Sequence, residues 1–313
     1  MNTNNTFAPV ALFVYNRPAH TKQVLDSLLL NAEFSQTDLF IFCDGPKNSV
    51  SDEGLNNIAA TRKLVEQFEG AKSITITKSD TNKGLASSII SGITQVLTRF
   101  DNLIVLEDDI IVSPAFLNYM NYALNYFFDQ VEVGCIHAYT YPVKHLPEYY
   151  FLRGADCWGW GTWKRAWNLF NPDGSQLLNK LRQKGLIEKF DYNGAYKFSE
   201  MLEQQTQGKN DSWAIRWHAS LFLENRLTLY PGRSFVQNIG NDSSGTHSGK
   251  TNAYGHKKLN NDHDFDFESI GVQENLGVVE KISVWFRFQR SFLNRCIQFY
   301  FRISSKLFNN RIS

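Results

Sequence analysis

The first half of the chain alternates short apolar runs with segments of helical periodicity, and this alternation restricts the fold more than any other feature. The apolar runs typical of strands are residues 10–16, 39–45, 73–79 and 103–109. Helical patterns follow over residues 20–30, 55–69, 84–100 and 114–128. Strands connected by helices in this order pair in parallel and are covered by helices on both faces. The sequence therefore predicts an α/β fold with a mostly parallel central sheet.

The second half of the chain is less regular. Helices are predicted near residues 176–190, 193–207 and 210–226, and an apolar run covers residues 133–141. Residues 238–249 are rich in glycine, serine and asparagine, which indicates a loop.

Composition and charge exclude several classes of protein. Of the 313 residues, 42% are hydrophobic and 20% are charged, as in an ordinary globular domain. The net charge of +1 gives no reason to expect nucleic acid as a partner. The four cysteines form no CxxC pair, which favours a reducing compartment. The N-terminus lacks the features of a signal peptide and no apolar stretch is long enough to span a membrane, so we expect a cytoplasmic protein.

Polar side chains follow three of the predicted strands at the point where each strand ends. They are Asn16 and Arg17 after the first strand, Asp44 after the second, and the run Glu107, Asp108 and Asp109 after the fourth. The carboxyl ends of parallel strands meet at one edge of the sheet, where ligands of such folds bind. We therefore expect these groups to form one site.

The run of three carboxylates has two interpretations. Carboxylate oxygens are preferred ligands of Mg²⁺ and Mn²⁺, which often keep substrate phosphates as further ligands. The alternative is a solvated turn between a strand and a helix, with the acids near the helix N-terminus. The residues alone leave both open.

The segment LIVLEDDIIVSPAFLNYM, residues 103–120, resembles the acidic segment of the N-acetylglucosaminyltransferase I-like glycosyltransferases, which have the GT-A fold. Bacterial family 2-like sugar transferases with the same N-terminal half are similar too. Weaker matches follow the family's order in VALFVYNRPAHTKQVLDSLL, IFCDGPK, NKGLASSIISGI, CWGWGTW and NDSWAIRW. The resemblance covers roughly residues 8–245. It implies a GT-A domain over residues 1–280, with a nucleotide-binding half over 8–130 and an acceptor half over 131–280.

The resemblance also implies roles for single residues. The nucleotide-sugar site would consist of Asn16, Arg17, Asp44, Lys83, Glu107 and Asp108, and Asp109 would coordinate Mn²⁺ or Mg²⁺. Glu107 and Asp108 would contact the ribose and the nucleotide, Asp44 the base, and Lys83 a phosphate oxygen. Plainer alternatives remain. Lys83 could be a solvated lysine at a helix start, and Arg17 and Asp44 could make local bonds within turns.

An inverting transferase needs a carboxylate that removes the proton of the acceptor hydroxyl. Asp211 is the first candidate, because the segment NDSW matches the family's base segment best. Its alternative is a capping position, since Asn210, Asp211 and Ser212 precede a predicted helix. Glu203 and Asp156 are the next candidates.

Four tryptophans lie close together between residues 157 and 167. We expect Trp158 and Trp160, each beside a glycine, to touch the acceptor or the donor sugar, because aromatic faces stack on sugars. Trp163 and Trp167 are expected to pack in the core. His247 in the predicted loop could be a further metal ligand or a solvated histidine.

The C-terminal segment differs in charge from the rest of the chain. After Glu280 there is no acidic residue, and seven basic residues follow. A helix over residues 283–308 would place aromatic and apolar side chains on one face and arginines on the other. That pattern predicts a basic amphipathic helix over residues 281–313 that binds the inner face of a membrane. The alternative is a helix docked on the domain or on a second copy.

These features together predict a metal-dependent hexosyltransferase of surface polysaccharide synthesis with a glycan or lipid-linked acceptor, and the resemblance implies a UDP-sugar as donor. One rival is a sugar-phosphate nucleotidyltransferase, which would normally show a glycine-rich basic loop that residues 8–20 lack. Another rival is a nucleotide-sugar-binding or scaffold protein without turnover. A dehydrogenase is disfavoured because no GxGxxG motif follows the first strand.

Overall fold

The structure is a computed structural model that describes residues 7–240, 254–255 and 258–291. The strands within these residues are β1 (Val10–Val14), β2 (Asp38–Cys43), β3 (Ser73–Lys78), β4 (Asn102–Glu107), β5 (Ile110–Val112), β6 (Val133–His137), β7 (Tyr149–Arg153), β8 (Trp160–Trp163), β9 (Leu227–Pro231) and β10 (Val236–Asn238). The helices are α1 (Pro18–Leu29), α2 (Asp52–Glu66), α3 (Leu85–Leu97), α4 (Phe116–Tyr126), α5 (Lys164–Trp167), α6 (Gly174–Gln183), α7 (Ile187–Phe190), α8 (Phe198–Thr206), α9 (Trp213–Leu223) and α10 (Leu276–Arg290).

One sheet of eight strands runs through both halves of the chain. Its order is β3-β2-β1-β4-β8-β6-β9-β7, and β5 and β10 form a separate two-stranded ladder. Pairing is parallel between β1 and each of β2 and β4, between β2 and β3, and between β6 and β9. Only β7 and β8 run in the opposite direction. The predicted fold class, an α/β fold with a mostly parallel central sheet, is confirmed.

Both faces of the sheet are covered, which explains why its central strands are apolar without alternation. Every residue of β1 is buried. Val10, Leu12 and Val14 point to one core, which includes side chains of α1, α4 and α10. Ala11 and Phe13 point to the other core, which includes side chains of α3 and α9. Parallel strands of this kind have no solvated face, so their hydrophobic runs are continuous.

The elements predicted for the first half are confirmed within a few residues, and those of the second half only in part. The helix predicted over 176–190 is two helices, α6 and α7, and the helix predicted from residue 193 begins at Phe198. Tyr192 and Asn193 have positive φ angles of 51° and 54°, which helical residues do not adopt. The sequence analysis did not predict β5, β7, β8, β9 or β10, most of them short strands without an alternating pattern.

Helix α10 packs against the domain, which corrects the predicted domain boundary and, for residues 283–290, agrees with the alternative of a docked helix. The predicted boundary at residue 281 falls inside this helix. Phe286 is 2% exposed, and its ring lies 5.3 Å from Tyr141 and 4.6 Å from Tyr196. The Ser283 hydroxyl donates to the carbonyl oxygen of Tyr192. Residues 283–290 of the predicted membrane helix therefore bury an apolar face in protein.

The helix also ends earlier than predicted. Ser291 has extended backbone angles and terminates α10. The helix therefore ends at Arg290, within the span 283–308 that was predicted to be helical. The rest of that prediction, residues 292–308, lies outside the described residues. Of the helices that the structure describes, none has the length and apolar character needed to cross a membrane.

Replacing Phe286 with alanine tests the docking of α10. We expect Phe286→Ala to lower the free energy of unfolding by about 3 to 5 kcal/mol, because it leaves a cavity in the aromatic core. Phe288, two residues away, is 48% exposed, so Phe288→Ala is the matched control and should change stability by about 0.5 kcal/mol or less. Urea unfolding measures both, and equal losses would contradict the docking.

Candidate functional site

The carboxyl ends of β1, β2 and β4 lie side by side, because β1 is hydrogen-bonded to both other strands. The connection after β1 carries Asn16 and Arg17, and β4 ends at Glu107, the first of three carboxylates. We call Glu107, Asp108 and Asp109 the acidic cluster. The predicted convergence of the first and fourth strand ends is confirmed, since Arg17 forms ion pairs with two members of the cluster.

Arg17 holds the acidic cluster to the end of β1. Its Nη2 atom donates a hydrogen bond to Oδ1 of Asp108, and its Nη1 atom lies 3.1 Å from Oδ2 of Asp109. The backbone N–H of Tyr15 lies 3.4 Å from the second oxygen of Asp108. Asp108 is only 3% exposed. The predicted contact of Asp108 with a nucleotide is corrected, because its carboxylate is enclosed by protein and fixes Arg17 instead.

The acidic cluster has more negative charge than its surroundings neutralise. Burial first, and then the charges of Asp109 and Asp108, raise the pKa of Glu107 to about 8. Burial also raises the pKa of Asp108 to about 6, although Arg17 opposes the shift. Burial alone would lower the pKa of Arg17, but Asp108 and Asp109 together raise it. Three carboxylates therefore share one guanidinium, which leaves one unbalanced negative charge while Glu107 keeps its proton and two when Glu107 is ionised.

The ladder of β5 and β10 closes one side of the acidic cluster. The backbone N–H of Ile239 donates to the carbonyl oxygen of Asp109 at 2.8 Å. A Cβ atom on Gly240 would overlap the Asp109 carboxylate and come within 3.1 Å of Arg17 Nη1. Only glycine at position 240 lets the backbone approach this closely. Sequence analysis missed Gly240, which belongs to a segment read only as a loop.

Asp44 organises a turn. Its two carboxylate oxygens accept hydrogen bonds from the backbone N–H groups of Gly45, Lys83 and Gly84 and from the amide of Asn82, at 2.8 to 3.0 Å. A carboxylate with four donors has no acceptor position left for a nucleotide base. The prediction that Asp44 binds the base is therefore corrected. The side chain of Lys83 is exposed just before α3.

Of the four tryptophans between residues 157 and 167, three are buried in the core and one is half-buried. Trp160 is fully buried, with its ring 5.5 Å from Trp213 and 5.8 Å from Trp217. The predicted contact of Trp160 with a sugar is corrected, because no ligand reaches a fully buried ring. Trp163 and Trp167 are buried, which confirms their predicted packing. Trp158 is half-buried, with its ring 4.8 Å from that of Tyr139 and 5.7 Å from that of Tyr254.

Asp211 lies at the start of α9, where its side chain is 68% exposed. One of its oxygens is 2.9 Å from Nη2 of Arg216, so an ion pair already engages its charge. The capping residue of α9 is Ser212, whose hydroxyl accepts from the N–H of Ile215. Glu203 is also at the surface and pairs with Arg182. His247 lies outside the described residues.

Two buried histidines hold residues 154–159, which we call the aspartate loop because Asp156 lies within it. His137 accepts a hydrogen bond at Nε2 from the backbone N–H of Trp158, at 3.1 Å. The ring of His218 lies within 2.7 Å of the carbonyl oxygen of Ala155. Sequence analysis missed both histidines, since a single histidine in an apolar segment has no distinctive spacing.

No group of three or more His, Cys, Asp or Glu side chains within residues 7–240, 254–255 and 258–291 is arranged to hold a metal ion. A metal ion at the acidic cluster would therefore need further ligands in addition to the described side chains. Mg²⁺ and Mn²⁺ commonly use one or two carboxylates with substrate phosphates.

Comparisons with known proteins add little to this description. No protein-family model matches the chain, and no curated protein matches it. Among solved structures, it is similar to the mannosyltransferase PcManGT from Pyrobaculum calidifontis in complex with GDP-Man and Mn²⁺. That similarity has a TM-score of 0.36 at 11% identity, over 71% of this chain and 70% of the other. A likeness this weak carries no argument about the chain.

The raised pKa of Glu107 predicts a pH-dependent stability. Between about pH 4 and pH 8 the folded protein keeps a proton on Glu107 that the unfolded chain releases. Stability from this proton is complete below about pH 4 and is lost as the pH rises to 8, by up to about 1.4 kcal/mol per pH unit. Glu107→Gln stays neutral, so it should be more stable than the wild type at pH 8 and similar to it near pH 4.

Urea unfolding at pH 4, 6 and 8 in the presence of EDTA measures this difference. Glu69 is exposed, and Glu69→Gln is the control that should follow the wild type at every pH. An identical pH dependence in the wild type and Glu107→Gln would contradict the raised pKa.

Proposed function

We propose that this chain is a metal-dependent glycosyltransferase of the GT-A fold, which moves a sugar from a nucleoside diphosphate sugar to a glycan or lipid-linked acceptor. One observation carries the proposal: an arginine and an unbalanced acidic cluster converge at the carboxyl ends of neighbouring parallel strands. The resemblance of residues 103–120 to the acidic segment of such enzymes points to the same chemistry. It also favours UDP as the nucleotide and inversion at the anomeric carbon.

The acidic cluster fits a divalent cation in charge and in donor type. Its unbalanced charge matches Mn²⁺ or Mg²⁺, and its oxygen ligands suit either ion. Asp109 would hold the ion, because Asp108 is enclosed by Arg17 and Tyr15. When bound, the ion would stabilise the negative charge that develops on the leaving diphosphate.

The protein's own groups would orient the donor. Arg17 is fixed by two carboxylates, so it can present a guanidinium N–H group to a phosphate oxygen without first losing side-chain freedom. Asn16 is half-buried beside it and would bind the nucleotide. Gly240 lies against Asp109 and leaves room for the diphosphate where a side chain would not. Lys83 is exposed near the start of α3, from which its ammonium group would reach a phosphate.

A membrane location is proposed from charge. The seven basic and no acidic residues after Glu280 favour an anionic surface. Such a position, at the inner face of a membrane, would suit an enzyme of surface polysaccharide synthesis with a lipid-linked acceptor. Residues beyond 291 would carry the contact, because the described part of the segment already packs on the domain.

Nucleotide binding tests the proposed function. We expect UDP to bind with Mn²⁺ and to bind at least about tenfold more weakly without it or in Asp109→Asn, a loss of about 1.4 kcal/mol. GDP is titrated in parallel to identify the nucleotide, and calorimetry measures all arms.

The matched control is Asp101→Asn. Asp101 is exposed just before β4, at the opposite edge of the sheet, so this variant loses the same charge away from the site. It should bind as the wild type does. Metal-independent binding, or no binding of either nucleotide, would contradict the proposal. Binding without release of nucleotide from any UDP- or GDP-sugar would favour a binding protein without turnover.

Vesicle binding tests the membrane proposal. Arg295→Gln/Arg302→Gln should weaken binding to vesicles that contain phosphatidylserine by roughly 1 kcal/mol per charge. The control is Arg287→Gln/Arg290→Gln, because these arginines donate to the carbonyl oxygens of Asn193 and Ala195. The control should lose less. A wild type that binds neutral and anionic vesicles equally would overturn the proposal.

A further inference from the structure

Asp156 lies at the same edge of the sheet as the acidic cluster. Strand β8 is antiparallel to β4, with Trp160 opposite Val105. The aspartate loop enters β8 at this point, so it passes beside the end of β4, where Glu107 begins the acidic cluster. The electrostatic surroundings of Cys157 indicate the same closeness of the aspartate loop to the acidic cluster. The pKa of the Cys157 thiol is raised by burial, then by the neighbouring charge of Asp156, and then by two residues of the acidic cluster.

The aspartate loop is fixed from two sides. The Trp158 N–H donates to Nε2 of His137, so the proton of this neutral ring is on Nδ1, 3.0 Å from the carbonyl oxygen of Tyr139. On the other side, the ring of His218 packs where Gly154, with a φ of 93°, has no side chain. Burial lowers the pKa of both histidines. Both rings therefore act as fixed supports, and the loop does not need to be ordered by a ligand.

Within the described residues, no cationic side chain forms an ion pair with the carboxylate of Asp156. Its Oδ2 atom accepts from the hydroxyl of Tyr141 at 2.9 Å, and its Oδ1 atom accepts from the N–H of Cys157 at 2.9 Å. Asp156 is half-buried, so a ligand can still reach it. A carboxylate that is held in place beside a proposed substrate site, with no ion pair to a described residue, is a candidate for a direct role in the reaction.

Aromatic rings form the wall next to Asp156. The rings of Trp158 and Tyr254 lie 5.7 Å apart, and those of Tyr254 and Trp285 lie 5.3 Å apart. Trp285 in turn lies 5.8 Å from Tyr141, the partner of Asp156. Trp158, Tyr254 and Trp285 are all half-buried. Partly exposed aromatic residues beside a hydrogen-bonding carboxylate suit a sugar, which has both apolar C–H surfaces and hydroxyl groups.

We propose that Asp156 is the catalytic residue that accepts the proton of the acceptor hydroxyl, and that Trp158, Tyr254 and Trp285 bind the acceptor sugar. This assignment rests on the proposed function. The acceptor oxygen forms a bond to the anomeric carbon of the donor, and the bond from that carbon to the phosphate oxygen breaks. The nucleoside diphosphate leaves with the electron pair. The hydroxyl proton moves to the free lone pair of an Asp156 oxygen and then to water.

Asp156 suits this role better than Asp211. Asp211 forms an ion pair with Arg216. Its side chain is 68% exposed and lies just before α9. Asp156 is instead half-buried and held by two hydrogen bonds, and none of the described residues forms an ion pair with it.

Nucleotide release from donor sugars, with water as the acceptor, tests the assignment. The probes are UDP-glucose, UDP-N-acetylglucosamine and GDP-mannose, each with Mn²⁺. We expect Asp156→Asn to lower the rate by at least about 100-fold, with nucleotide affinity within about threefold of the wild type. Asp129 is exposed after α4, and Asp129→Asn is the matched control that should keep the wild-type rate. Asp211→Asn is the rival variant.

Each outcome has one meaning. A wild-type rate of nucleotide release in Asp156→Asn, or a large loss of this rate in Asp211→Asn alone, would overturn the assignment. Metal-dependent nucleotide binding would still support the proposed function in that case. Binding without release by the wild type would also overturn the assignment, because water should reach a base placed for an acceptor. Failure of the wild type to bind any nucleotide would overturn both proposals together.

A second variant keeps the test decisive if Asp156→Asn does not fold. Asp156→Glu keeps the charge and moves the carboxylate by one methylene group. We expect a loss of at least about tenfold in nucleotide release at unchanged nucleotide affinity, since small displacements of a catalytic group are costly. A wild-type rate in this variant would overturn the assignment.

Discussion

The ion pairs of Arg17 with Asp108 and Asp109 are the interaction on which the arrangement of the site depends. They join the connection after β1 to the end of β4, and thereby place a guanidinium against three consecutive carboxylates. The parallel pairing of β1 with β4 makes this contact possible, because it brings both carboxyl ends to one edge. One cation among three carboxylates leaves an excess of negative charge, even while Glu107 keeps its proton. That excess is the physical reason for expecting a cationic ligand.

The second half of the chain builds the other side of the same edge. Strand β8 returns antiparallel to β4 and carries the aspartate loop, which His137 and His218 hold from β6 and α9. Helix α10 then closes the aromatic wall around Tyr141. Residues 283–290, for which the sequence left both a membrane and the domain open, thus pack on the domain. Trp285 lies where an acceptor would approach.

Local patterns predicted the first half well. Apart from β5, the elements from β1 to α4 follow from the spacing of apolar residues, and the position of the acidic cluster follows from the end of one strand. The same reasoning failed where a residue's role depends on a distant partner. Asp44 resembled a nucleotide ligand, yet its carboxylate is filled by Asn82, Lys83 and Gly84, some 40 residues away. Trp160 had the glycine neighbours of a ligand-binding tryptophan, yet Trp213 and Trp217 cover its ring.

By itself the sequence determined the α/β class, the succession of early strands and helices along the chain, and the strand end that carries the acidic cluster. Hydrophobic periodicity and turn residues are local properties, so they can be recognised without knowing the tertiary structure. Only the tertiary structure decided which polar groups are free. Asp44 accepts hydrogen bonds within a turn, Asp108 pairs with Arg17, and Asp211 pairs with Arg216, whereas Asp156 forms no ion pair with any residue that the structure describes. Whether a carboxylate can act on a ligand depends on its neighbours in space, and those come from segments that the sequence keeps far apart.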